Sequence, residues 1–208
     1  MAYDLEEQEQ LDALKAWWHS NGNTVLLAVG ALCVAFAGFQ GWKYYQHKQR
    51  LEASSQYEAL AQLDVKDIKQ VRSVSGQLME KYSGTPYAAR AALMVARANY
   101  EAGDARSAHA QVEWALAHSR EETVKSIAQL QLAGLQFEEK KYDDALKTLA
   151  EKHDPAYDGL LSDLKGDILA IQGKSAEARK AYAEALASLD QKSKFRRYTE
   201  QKLDALGS

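Results

Sequence analysis

Five histidines, His19, His47, His109, His118 and His153, are the side chains in this chain best placed to hold a metal or move a proton. A zinc site on a helix needs two of them at i and i+4, and no pair has that spacing. The single cysteine, Cys33, allows neither an intramolecular disulfide nor a cysteine-rich metal site. No Walker loop, dinucleotide fingerprint or G-x-S-x-G elbow occurs. The acid pairs Glu121-Glu122 and Asp143-Asp144 have the residue types for acid–base work. They fall at expected helix starts, however, where the helix dipole alone accounts for negative charge. The residue chemistry therefore argues against an enzyme and calls for no cofactor. Beyond residue 23 the chain holds 24 acids and 25 bases, intermixed, without the clustered basic face that nucleic acid requires.

The chemistry left is that of surfaces, and two elements must position them. Thr24–Trp42 (TVLLAVGALCVAFAGFQGW) contains no charged residue. A helix of that length rises about 28 Å, close to the hydrocarbon thickness of a bilayer. Trp17 and Trp18 precede it, and Trp42, Tyr44 and Tyr45 close it, as aromatic belts do at headgroup depth. A cleaved signal peptide would want a basic start, whereas residues 1–23 hold five acids against Lys15 alone. We read 24–42 as a single transmembrane helix. Ala28, Ala31, Ala35 and Gly38 fall on one face of it, a stripe of small residues that permits close packing against another membrane helix.

Residues 1–23 form an acidic segment in which Leu11, Leu14 and Trp18 share a helical face, read either as a short interfacial helix or as a solvated tail. Ser20-Asn21-Gly22-Asn23 is expected to break it from the anchor. After Trp42 a stretch without Gly or Pro continues as a helical stalk over 43–63. Residues 64–208 read as helices throughout. Asp64 or Asp67, Thr85-Pro86, Asp104, Ser119 with Glu122, and Asp154-Pro155 supply start signals, and Gly84 a stop.

These helices carry a period. Ala108, Ala145 and Ala178 are 37 and 33 residues apart, with Ala96, Ala133 and Gly166 at a matching small position in the preceding helices. The spacing resembles the tetratricopeptide repeat, whose small residues let paired helices cross closely. The signature tryptophan and closing proline are missing, and the middle repeat lacks its turn glycine. The expected fold is all-α: one transmembrane helix followed by an α-solenoid of degenerate tetratricopeptide-like repeats. In such stacks the first helices line an inner face. The register places Arg90, Leu93, Arg97, Tyr100, Phe137, Asp163 and Asp167 there, a candidate groove with bases at one end and acids at the other.

The acidic start, Leu14-Lys15-Ala16-Trp17-Trp18, the Asn-Gly dipeptide, the anchor closing on Gly41-Trp42-Lys43-Tyr44-Tyr45 and the order of repeats together resemble the YfgM family over essentially the whole chain. The resemblance implies an ancillary subunit of the bacterial SecYEG translocon. It also implies a cytoplasmic N-terminus, one inner-membrane helix and a periplasmic repeat domain that hands emerging secreted proteins to chaperones alongside the membrane-anchored chaperone PpiD. The flanking charges run the other way: Lys43, Lys48 and Arg50 follow the anchor, against Lys15 before it. A structural adaptor that organises an envelope complex without touching clients is the alternative function.

Overall fold

The computed structural model describes residues 2–64 and 66–207. Its elements are α1 (Ala2–Ala61), α2 (Ile68–Lys81), α3 (Pro86–Glu101), α4 (Ala105–His118), α5 (Glu122–Glu138), α6 (Tyr142–Leu149), a 3-10 turn (Pro155–Tyr157), α7 (Asp158–Ile171), α8 (Ser175–Ser188) and α9 (Lys194–Ala205). Among the described residues there is no strand, and the fold is all-α. The chain divides into two compact units, residues 1–49 and residues 50–208.

In the first unit the expected break at Ser20–Asn23 does not occur, and α1 runs straight through it. Local contacts explain this. The Asn21 side chain donates to the Trp17 carbonyl at 3.1 Å, and the Trp18 indole lies against Gly22, 3.3 Å from where a β-carbon would stand. A glycine inside a helix costs about 1 kcal/mol, less than opening several backbone hydrogen bonds. The apolar stretch beyond it is long enough to cross a membrane. Its side chains stand free, Leu27 and Val34 each 75% exposed, which an apolar helix sustains only when lipid or protein covers it.

In the second unit the last turns of α1 are packed rather than free. Ala53 and Leu60 are buried with Val71, Leu78 and Tyr82 of the α2 region and Ala91, Val95 and Ala98 of α3. The Tyr82 hydroxyl donates to Glu52 at 3.1 Å and accepts from Gln56 at 3.4 Å, and Tyr57 and Tyr87 meet with ring centroids 5.7 Å apart. The stretch read as stalk thus supplies one wall of the first core cluster from about Glu52 onward.

Helices α3/α4, α5/α6 and α7/α8 form three pairs. Each helix from α2 on packs on its sequence neighbours, and contacts also link α3 with α5 and α5 with α7, the first helices of successive pairs. Stacking of each pair on the next is the packing of a solenoid. The small residues sit at the crossings: Ala96 and Ala108, Ala133 and Ala145, Gly166 and Ala178, each pair twelve residues apart and every member buried. Seven residues beyond the first member of each pair the chain turns through a left-handed residue, at Gly103 (φ 83°), Lys140 (φ 62°) and Gly173 (φ 75°). The following amide then bonds the carbonyl five residues back, Asp104 to Asn99, Lys141 to Gln136 and Lys174 to Leu169, at 2.8 to 2.9 Å. This is the same Schellman closure three times, the middle one made without glycine.

Start signals fared unevenly. Asp67 and Asp104 accept from the amides of Gln70 and Ser107, and Asp154 from Ala156, as capping requires. Ser119 and Glu122 do not form a capping box. Ser119 ends α4, and its hydroxyl turns to the Glu121 amide at 3.2 Å. Thr85 bonds back to the Tyr82 carbonyl instead of capping α3, and α2 closes at Tyr82 before Gly84 is reached.

Candidate binding cleft on the inner face

The twelve-residue register sets out what each pair presents. Asn99 of α3 donates to Gln111 of α4 at 2.6 Å, and at the same register Thr148 of α6 donates to Gln136 of α5 at 2.8 Å. The third pair places buried Leu169 and Ala181 there. Buried polar groups satisfied in this way fix the register of a pair more sharply than apolar contacts do. These residues were not singled out in the sequence. Their signal, two polar side chains twelve apart in successive repeats, was present but visible only once the turns were placed.

One position after the small residue, the first helices carry Arg97, Gly134 and Asp167. Arg97 and Tyr100 of α3 line a cleft with Ala96, Val112 of α4, and Gln131, Gly134, Leu135 and Glu138 of α5, enclosing about 260 Å³. Its floor is apolar: Ala96, Val112 and Leu135 are buried. Tyr100 is 37% exposed, and the Arg97 guanidinium is held by Glu101 at 2.9 Å.

The remaining groove candidates lie elsewhere. Arg90 pairs with Glu121 at 2.5 Å, tying α3 to the start of α5. Leu93 is a core side chain, 6% exposed, packed with Ala89, Ala92 and Val124. Phe137 packs against the cluster of Ala133, Ala145 and Leu149, its ring 5.9 Å from that of Tyr142.

Asp163 and Asp167 are engaged by the chain itself. Lys202 of α9 bonds both carboxylates at 2.7 Å, Thr199 donates to Asp163 at 2.8 Å, and the Tyr182 hydroxyl donates to Asp167 at 2.8 Å. Burial works against the Lys202 ammonium, but hydrogen bonds to Asp163 and Asp167 and their charge outweigh it and raise its pKa. Burial, then the bond to Asp167, pushes the Tyr182 phenol up as well. The expected acidic end of the groove is thus occupied by the last helix.

On the membrane helix, Ala28, Ala31, Ala35 and Gly38 are all exposed, and a β-carbon at Gly38 would meet nothing within 4 Å. Cys33 is likewise exposed and free. Among the described residues no group of three or more His, Cys, Asp or Glu side chains is placed to hold a metal ion.

Residues 15–208 match the model of the tetratricopeptide repeat-like domain family. Across 90% of this chain and 92% of its own length, a Haemophilus influenzae protein named ancillary SecYEG translocon subunit is 31% identical. Relatives of the same name are 30% identical in Neisseria gonorrhoeae, covering 99% of this chain and 100% of theirs, and 28% identical in Escherichia coli, covering 88% of each. With its exposed apolar N-terminal helix, this is a membrane-anchored protein. The chain belongs to the tetratricopeptide repeat-like family of ancillary SecYEG translocon subunits, the YfgM family.

Proposed function

We propose that this protein associates with the SecYEG translocon as a membrane-tethered scaffold, and that its repeat domain helps relay translocated proteins to periplasmic chaperones. What carries this reading is the pairing, in one chain, of an apolar anchor with a repeat domain that keeps a partly apolar inner-face cleft open, in a family whose members are named translocon subunits. An anchor holds the repeats at the membrane, where emerging chains meet them at high effective concentration. In this reading the protein acts by binding and has no catalytic step.

The topology that goes with it is a single pass through the bacterial inner membrane, N-terminus in the cytoplasm and repeats in the periplasm. Lys43, Lys48 and Arg50 oppose it on the positive-inside count, a rule that weakens for long translocated domains. The small-residue stripe on the anchor docks against a translocon helix or the anchor of a partner chaperone such as PpiD. Labelling cysteines introduced at Ser20 and at Lys147 with an impermeant reagent tests the topology. Reagent added outside the membrane reaches position 147 alone, and the reverse pattern sinks the proposal.

A structural adaptor that never handles clients is favoured by one observation: Lys202 already occupies Asp163 and Asp167, shortening the free inner face. Photo-crosslinkers on the repeat domain separate the two. A relay yields adducts with many translocating proteins, an adaptor with one or two folded partners.

A further inference from the structure

Gly134 lies inside α5 with no conformational reason to be glycine, since the described glycines with positive φ are Gly103, Gly173 and Gly207. Close packing does not require it either. A β-carbon at Gly159 or Gly166 would collide with Leu189 or Tyr182, but one at Gly134 would meet no atom within 4 Å. A glycine inside a helix costs about 1 kcal/mol relative to alanine. Here the missing side chain leaves an opening at the position where the neighbouring repeats project Arg97 and Asp167.

The walls of that opening specify a ligand. Ala96, Val112 and Leu135 form an apolar floor, with the half-open Tyr100 beside it, and the volume of about 260 Å³ suits one large side chain rather than a folded element. At the rim Arg97 is neutralised by Glu101, while Glu138 is exposed, and among the described residues no cation pairs with it. A carboxylate beside an apolar slot favours a cation next to the inserted side chain and repels an anion.

Resting on the relay reading above, we infer that this cleft captures unfolded chains at sites where a large apolar residue stands beside a lysine or arginine. Lys194-Phe195 of this same chain has that chemistry, with Lys194 exposed and Phe195 47% exposed, so a second copy is the competing occupant.

The test uses the full chain in mild detergent and fluorescently labelled glycine-serine peptides carrying one Phe-Lys pair, with Phe-Glu and Ala-Lys peptides for comparison. Measured by anisotropy, Phe-Lys binds about tenfold or more tightly than either of the others. Gly134→Leu fills the slot and removes that advantage. Its unfolding temperature stays at or above that of the parent, because leucine is the better helix former and its β-carbon meets no atom within 4 Å. Glu138→Lys moves the preference to Phe-Glu.

Equal affinity for the three peptides, no binding of any, or undiminished Phe-Lys binding by Gly134→Leu overturns the inference. So does concentration-dependent self-association of the parent that Gly134→Leu abolishes, which assigns the slot to a second copy. The relay reading has a separate readout. Crosslinks from translocating proteins that persist in Gly134→Leu leave it standing without the cleft, and their absence from the parent removes it.

Discussion

The ring of Tyr182 lies against Gly166 so closely that a β-carbon there would overlap it. Tyr182 holds the register position of Val112 and Leu149, and Gly166 that of Ala96 and Ala133. The third pair therefore exchanges size between its two helices: a larger residue on α8 is matched by a smaller one on α7. Gly166→Ala adds a methyl group that the other two pairs accommodate, yet here it must displace a ring whose hydroxyl is fixed to Asp167 at 2.8 Å. We expect a loss of about 1–3 kcal/mol by denaturant titration. A variant as stable as the parent would show that the ring can move aside.

Lys140 pays a conformational cost that Gly103 and Gly173 avoid. It makes the same Schellman closure with φ at 62°, in the left-handed region that disfavours a β-carbon. Its side chain is exposed. Lys140→Gly should raise stability by about 0.5–1 kcal/mol, the relief of strain exceeding the added freedom of the unfolded chain. A fall in the denaturation midpoint would mean that Lys140 makes a contact worth more than the turn.

Removal of residues 1–63 should be far more damaging than removal of residues 1–49. The longer deletion strips Ala53, Tyr57 and Leu60 from the first core cluster and takes the hydrogen-bond partners of Tyr82 with them. Loss of several buried apolar side chains amounts to about 3–6 kcal/mol. Circular dichroism melts of the two fragments settle the matter: equal melting temperatures would return residues 50–63 to the status of a stalk.

Alkaline pH should loosen the end of the solenoid. Lys202 has its pKa raised from 10.5, so its contribution is complete below that value and is lost as pH rises through the folded-state value. Tyr182 is raised from 10.0 and has the same sign, because the fold holds the neutral phenol. Stability should therefore be flat towards neutral pH and fall above about pH 10. Lys202→Met should cost about 1–2 kcal/mol at pH 8, a value reduced by the partial exposure of the site, and should flatten the alkaline slope. An unchanged slope would place the titration elsewhere.

Ala145→Arg forces a long charged side chain into a fully buried helix crossing. The expected loss is about 2–4 kcal/mol, by overpacking or by burial of an unpaired charge. Lys147→Arg, two residues along and exposed, should be nearly neutral. Matching melting temperatures for the two variants would refute the register on which the three pairs are aligned.

The sequence by itself determined the elements and their period. An uncharged run between aromatic residues marked the anchor, and Ala96, Ala108, Ala133, Ala145, Gly166 and Ala178 marked the crossings, because a local pattern of size and charge reports directly on what a helix can bury. It misjudged places where a local signal competes with a contact. Ser20–Asn23 reads as a break until Trp18 and Asn21 are seen to bond and cover it. Ser119 reads as a cap until its hydroxyl turns to Glu121.

Only the tertiary structure decided which inner-face residues are free. Register alone assigns Leu93, Arg97, Asp163 and Asp167 to one face. Leu93 is buried by its neighbours, Arg97 opens onto a cleft, and Asp163 and Asp167 are taken by Lys202, 39 and 35 residues further along the chain. Periodicity fixes the direction in which a side chain leaves its helix, whereas its availability depends on what a distant segment lays against it.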